Sequence, residues 1–228
     1  MPQQLRDQNR PMTLTTPRIA LIHALQHSVE PINTALARDW PEARRMNLLD
    51  DSLSADLASS PSGLDELMHE RFQRLAQYAL DCGCSAILFT CSAFGSCIDA
   101  VARRHDSVPV LKPNEAMIED AVASGERIGL IASFAATLRS MPAEFPATVA
   151  LDTALVDLAL DALNQGRPER HDELVADAAA RLAARGCRVI ALAQFSMARA
   201  APAVARRTGL PVLTTVASAV QKLKRIVG

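Results

Sequence analysis

The chain carries one pattern twice, and that leaves it few folds. Arg18-Ile-Ala-Leu-Ile22 returns as Arg127-Ile-Gly-Leu-Ile131, an offset of 109 (127 − 18). Gly83-Cys84 returns as Gly186-Cys187 and Ala100-Val-Ala-Arg-Arg104 as Ala203-Val-Ala-Arg-Arg207, both at an offset of 103 (186 − 83 and 203 − 100). Pro109-Val-Leu111 answers to Pro211-Val-Leu213 at 102 (211 − 109), so a single residue is lost before that strand. Ordered matches of this kind indicate one supersecondary unit used twice. The constant offset from Gly83 to Arg104 pairs that stretch with its copy residue by residue.

Short apolar runs bounded by turn residues read as buried parallel strands, and longer stretches at helical spacing read as helices. In the first half the pattern predicts strands at 18–23, 44–48, 85–90 and 109–111, with helices near 31–38, 62–81, 94–104 and 114–123. In the second it predicts strands at 127–132, 147–150, 188–193 and 211–213, with helices near 134–140, 152–163, 169–185, 197–207 and 215–226. Such alternation implies an α/β fold, because parallel neighbours need crossover connections. The expectation is two similar halves, 17–125 and 126–228, each a parallel sheet flanked by helices and related by pseudo-twofold symmetry. The C-terminal helix is expected to pack on the first half. Residues 1–16 read as a disordered tail, 50–63 as a loop over the site and Gly166-Arg-Pro168 as a surface turn.

Composition narrows the function classes. A net charge of −1 with 21% charged residues lacks the basic surface of a nucleic-acid binder. No stretch approaches about 18 uninterrupted apolar residues and the polar, proline-bearing start is unlike a secretory signal, so the expected protein is cytoplasmic, with no membrane or nucleic-acid partner. Five cysteines, an odd number without paired metal-ligand spacing, read as free thiols.

One thiol stands apart. Ser85-Ala-Ile-Leu-Phe-Thr90 is an apolar strand that delivers Cys91-Ser-Ala-Phe-Gly95 to a helix start. There free backbone N–H groups favour a thiolate, Ser92 is placed to cap, and the same groups can hold a carboxylate or enolate. The alternative is a buried small hydrophobe. Cys82, Cys84, Cys97 and Cys187 read as packing residues; Cys84 and Cys187 share one repeat position. His23 and His27, four apart, lack the third ligand of a metal site, while His69, His105 and His171 read as surface. Lys112 reads as exposed, with carboxylate pairing as the alternative. Asn114 is either a cleft donor or a cap, and Ser28 either a carboxylate contact or the cap of a helix near Pro31.

From about 18 to 226, the duplicated α/β pattern with Cys91-Ser92 at a strand end resembles the aspartate/glutamate racemase superfamily, which also contains hydantoin racemases, maleate isomerases and arylmalonate decarboxylases. The resemblance implies cofactor-independent proton transfer at the carbon next to a carboxylate, in a cleft between the halves. It implies two cysteines, one per half, flanking that carbon, and association into a homo-oligomer, which a mean hydropathy of +0.09 permits. By position it adds Ser133, Thr214 and Thr215 as carboxylate contacts, with Ser92, Ala93, Phe134, Ser196, Asn114, His23 and Ser28 in the substrate-binding set.

The chain departs from that pattern at one place. At the 103 offset Cys91 maps to Gln194 (91 + 103), in Leu192-Ala-Gln-Phe-Ser-Met197. A glutamine positions or polarises a substrate but has no proton to exchange in the useful range. Ser196 is the nearest hydroxyl and, unactivated, a poor acid or base. The resemblance implies that one thiol suffices in the decarboxylases, although theirs lies in the second half, so this chain would be a mirrored arrangement. The sequence thus leaves three readings: a racemase-like isomerase acting on a small carboxylic acid through Cys91, a single-cysteine decarboxylase or lyase, and a binding protein without turnover. A hydrolytic or redox thiol ranks below them, because the repeat supplies no His and Asp or Asn partners.

Overall fold

The computed structural model describes residues 16–228. The expected N-terminal tail therefore falls almost wholly outside the described residues. The first half runs β1 (Arg18–His23), α1 (Val29–Asp39), β2 (Arg44–Leu49), α2 (Ser52–Ser59), α3 (Glu66–Asp81), β3 (Ala86–Phe89), α4 (Gly95–Arg104), β4 (Val110–Leu111) and α5 (Glu115–Ala123). The second runs β5 (Ile128–Ala132), α6 (Ala135–Ser140), β6 (Leu151–Leu155), α7 (Asp157–Asn164), α8 (Pro168–Ala184), β7 (Val189–Leu192), α9 (Ala201–Thr208), β8 (Val212–Thr214) and α10 (Thr215–Val227). Each half holds one four-stranded parallel sheet, in the order β2-β1-β3-β4 and β6-β5-β7-β8. The duplication read from the sequence is therefore a duplication of topology.

The central strands are apolar throughout because both their faces are covered. Ile19 and Leu21 of β1 face one core cluster, while Ala20 and Ile22 face another, the alternation that a pleated strand imposes. The two halves also exchange helices. From the second half, α10 lays Val216, Ala219, Val220 and Leu223 against β1 and β3. From the first half, α5 lays Met117, Ile118 and Ala121 against β5 and β7. Where these helices meet, Lys222 Nζ pairs with Glu119 at 2.7 Å and Glu115 at 3.1 Å, and Ser218 donates to Asp120. The exchange joins the halves through their cores.

Several local expectations need correction. The strand expected at 147–150 lies at Leu151–Leu155, and the helix expected from 152 begins at Asp157. β6 is an edge strand with only one neighbour, and it tolerates Asp152 because Arg127 and Arg185 pair with it at 2.7 and 2.9 Å. The segment 50–63 is not a plain loop, since it contains α2. The helices expected from 94 and 197 open as 3-10 turns at Ser92–Phe94 and Phe195–Ala200, the same deviation in both copies. His171 is buried rather than surface, with Nδ1 2.8 Å from Asp172, which Arg199 also pairs. Among the described residues no helix is long and apolar enough to cross a membrane.

Candidate active site

Ligands of open parallel sheets bind beyond the carboxyl ends of the strands, and here those ends face each other. Three hydrogen bonds cross between the halves there: Ser92 Oγ to Thr137 Oγ1 at 3.1 Å, Asn114 Nδ2 to Glu144 Oε2 at 2.7 Å, and His27 Nε2 to Asn164 Oδ1 at 3.0 Å. Ser92 and Thr137 are both buried. A bond between two hydroxyls uses one of their two protons, so the other is free to bind an acceptor.

Cys91 follows β3 in extended conformation, directly before the 3-10 turn. Burial pushes its thiol up from the ordinary value of 9.0, against the Ala93 N–H and the Ser54 hydroxyl, which favour the thiolate. The sulfur is therefore a neutral thiol at neutral pH, with two donors waiting to stabilise the anion once it forms. Ser54 lies on α2 and donates to Ala24 O at 2.7 Å; its single proton serves either that carbonyl or the sulfur. Leu53, also on α2, closes a crevice with Ile22, His23, Ala24, Phe72, Phe89 and Cys91 that is too narrow for a water molecule. Arg71 ties α2 down from outside. Arg71 Nη1 reaches Asp56 at 2.6 Å, and its Nη2 reaches Asp50 at 2.7 Å and Ser52 Oγ at 2.6 Å.

Gln194 occupies the equivalent place after β7, again extended before a 3-10 turn. Its Oε1 accepts from the Ser133 N–H at 2.6 Å and the Ser133 hydroxyl at 3.1 Å. Ser196 Oγ and Thr215 Oγ1 are buried with no hydrogen-bond partner among the described residues. Thr214 caps α10 by accepting from the Ala217 N–H at 3.1 Å, and it lines a separate hollow with Pro31 and Val212.

The remaining expected site residues fall nearby in varied roles. Thr90 Oγ1 is 2.9 Å from His23 Nδ1, and Asn47 Oδ1 is 3.0 Å from its Nε2. Burial lowers the His23 pKa although Asn47 opposes it. The imidazole is thus neutral, with Nε2 donating to Asn47 and Nδ1 accepting from Thr90. With both nitrogens engaged, it supports the strand ends rather than offering a free ligand. Ser28 is buried and makes no side-chain cap to α1, which starts at Val29 rather than near Pro31. Asn114 precedes α5 but spends its amide on Glu144 instead of capping. Burial pushes Glu144 up, with Asn114 and Lys112 opposing. Lys112 is half-buried and pairs with Asp99 at 3.1 Å. Ala93 and Phe134 line one hollow of about 430 Å³ between α2 and α6. Sequence reasoning missed Ser54, Arg71, Thr90, Thr137 and Glu144. Thr90 had a visible signal, a hydroxyl at the end of an apolar strand beside Cys91. All five thiols are free, and no group of three or more metal-ligating side chains is gathered among the described residues.

Comparison with solved structures places this architecture among known folds. The allantoin racemase of Klebsiella pneumoniae is similar at 21% identity and a TM-score of 0.66, over 92% of this chain and 87% of that one. The glutamate racemase of Thermus thermophilus is similar at 20% identity and a TM-score of 0.70, over 92% and 80%. An arylmalonate decarboxylase is similar at 16% identity and 0.60, over 93% and 94%. A comparison with curated proteins returns no match. The family model described as Asp/Glu/Hydantoin racemase matches residues 26–223, a span that includes every strand after β1 and both strand ends at 91 and 194, and the chain therefore belongs to the Asp/Glu/hydantoin racemase family of enzymes.

Proposed function

We propose that the chain is a cofactor-independent enzyme that moves a proton at the carbon next to a carboxylate, with Cys91 as its one acid/base residue in the cleft between the halves. The observation that carries this reading is the pairing of a neutral thiol at Cys91 with a non-titrating amide at Gln194. Two-sided racemisation needs an acid and a base facing the carbon from opposite sides. This site has one, and it rests in its acid form.

The direction it serves best is proton donation. For a substrate with two carboxylates on one carbon, the bond to one carboxyl carbon breaks and carbon dioxide leaves. The electron pair stays behind as an enediolate, the Cys91 S–H gives its proton to that carbon, and water reprotonates the sulfur. The developing negative charge has a donor in the spare Ser92 or Thr137 hydroxyl proton. Removing an α-proton instead requires the thiolate first, which burial disfavours and which the Ala93 N–H and Ser54 assist. On this reading decarboxylation or one-face tautomerisation is faster than racemisation.

The test is proton NMR in heavy water of small malonates, hydroxy acids and amino acids with the protein and with Cys91→Ala. Solvent deuterium entering the α-position, or carbon dioxide release, that disappears in the variant supports the proposal. Binding with no exchange in any acid would instead identify a carboxylate-binding protein, a reading favoured by the way Gln194 Oε1 takes up both Ser133 donors.

A further inference from the structure

Beside Ala93, whose N–H supports the Cys91 sulfur, a hollow of about 430 Å³ opens between α2 and α6. From the first half it is walled by Leu57, Ala58, Pro61 and Leu64, and from the second by Phe134 and Ala135. Its size suits a small organic acid rather than a macromolecule. Neither this hollow nor the crevice at Cys91 has an acidic side chain among its lining residues. The one charge is Arg139, exposed at the rim and without a salt bridge among the described residues. The lining hydroxyl, Ser60 Oγ, is engaged with Ser62 Oγ and the Gly63 carbonyl, both at 3.1 Å.

An ammonium group brought into such a site loses water and finds no carboxylate to replace it, whereas an apolar group gains by burial and a carboxylate finds Arg139. We infer that this hollow selects substrates carrying a carboxylate and an apolar substituent but no ammonium, with Leu57, Leu64 and Phe134 receiving the substituent and Arg139 a carboxylate. The selected class is therefore carbon acids such as aryl- or alkyl-substituted carboxylates, not free amino acids. This inference rests on the reading of Cys91 as the reacting group, because only that reading makes the hollow a substrate pocket.

Binding of a matched pair tests it directly. 2-Phenylpropionate and phenylglycine differ at the α-carbon by a methyl in place of an ammonium, and aspartate and glutamate serve as acidic amino-acid probes. Titration calorimetry on the full chain is expected to show 2-phenylpropionate and phenylmalonate binding at least about tenfold more tightly than the three amino acids, the scale that one misplaced group sets in an apolar pocket. Ala58→Phe and Ala135→Phe, at exposed positions where folding is spared, fill the hollow and should weaken the aryl acids by about tenfold. Arg139→Gln, also exposed, should weaken phenylmalonate more than 2-phenylpropionate. Equal or tighter binding of phenylglycine or aspartate, no measurable binding of any aryl acid, or indifference to both filling variants overturns the inference. The two readings fail separately: aryl acids that bind as expected to both the parent and Cys91→Ala, with no exchange in either, would sink the catalytic role of Cys91 and leave the selectivity standing.

Discussion

β3 and β7 are equivalent strands with equivalent endings. Each is a four-residue, wholly buried strand, each is followed by an extended residue and a 3-10 turn, and each hydrogen-bonds to the central strand of its sheet. At Cys91 the extended residue carries a thiol supported by an N–H and a hydroxyl; at Gln194 it carries an amide locked onto Ser133. The backbone conserves the place and the side chain decides the chemistry. Duplication supplies two facing strand ends at no extra cost in folding information, and one end can give up its proton-bearing group while the core beneath it, Ile87 and Leu88 or Ile190 and Ala191, stays packed.

The largest break in this comparison is Cys91→Ala. It removes the proposed acid/base group, and proton exchange or decarboxylation should fall by about 10²- to 10⁴-fold, measured by NMR of the α-carbon. The pH profile of the parent gives the sign of its role. Burial raises the thiol above 9.0, so a reaction driven by the acid form keeps its rate through neutral pH and loses it on the alkaline side, above pH 9.0. A rate that instead climbs with pH through that range would mean the thiolate is the working form.

Gln194→Cys restores the symmetry. A second thiol should bring α-proton exchange on both faces, seen as racemisation of an enantiopure substrate rising by about 10²-fold. The loss of the Gln194 acceptor for Ser133 should cost about 1 kcal/mol of stability in thermal unfolding.

Away from the site, the halves differ in how closely a helix approaches the central strand. A Cβ at Gly129 of β5 would lie 3.0 Å from Ile190 Cδ1 and 3.1 Å from Leu182 Cδ1, while its counterpart in β1 is Ala20, fully buried without difficulty. Gly129→Ala should therefore destabilise by about 1–3 kcal/mol through crowding against α8, read by denaturant unfolding. Smaller still is Arg71→Met. Its ion pairs with Asp50 and Asp56 are partly exposed and contribute little stability, but they hold α2 over Cys91. Alkylation of Cys91 should speed up several-fold with little change in melting temperature, resolved by mass spectrometry at that residue.

What the sequence revealed follows from where its information was local. The duplication, the strand ends at Cys91 and Gln194 and the extra helix after each fourth strand were legible because apolar runs and a fixed offset are properties of neighbouring residues. The strand at Leu151–Leu155 was misread because Ala147-Thr-Val-Ala150 is the more apolar run, while the true strand carries Asp152 and Thr153, acceptable only at an edge and with arginines from outside the segment. Ser54, Arg71, Thr137 and Glu144 gave no signal for the same reason. Arg71 meets Asp50 and Asp56 across 21 and 15 positions, Ser92 meets Thr137 across 45, and Asn114 meets Glu144 across 30. Only the fold brings such residues together, and the helical character of α2 was hidden by the Ser- and Asp-rich composition that marks a loop.

The central claim, that one thiol delivers the proton from one side, is tested most directly by the handedness of the product. A prochiral 2-methyl-2-phenylmalonate turned over in the parent should give a single enantiomer of 2-phenylpropionate. Exchanging the two strand ends, Cys91→Gln with Gln194→Cys, should give the opposite enantiomer, because the proton then arrives from the other half. A racemic product from the parent, or the same enantiomer from both proteins, would contradict the account.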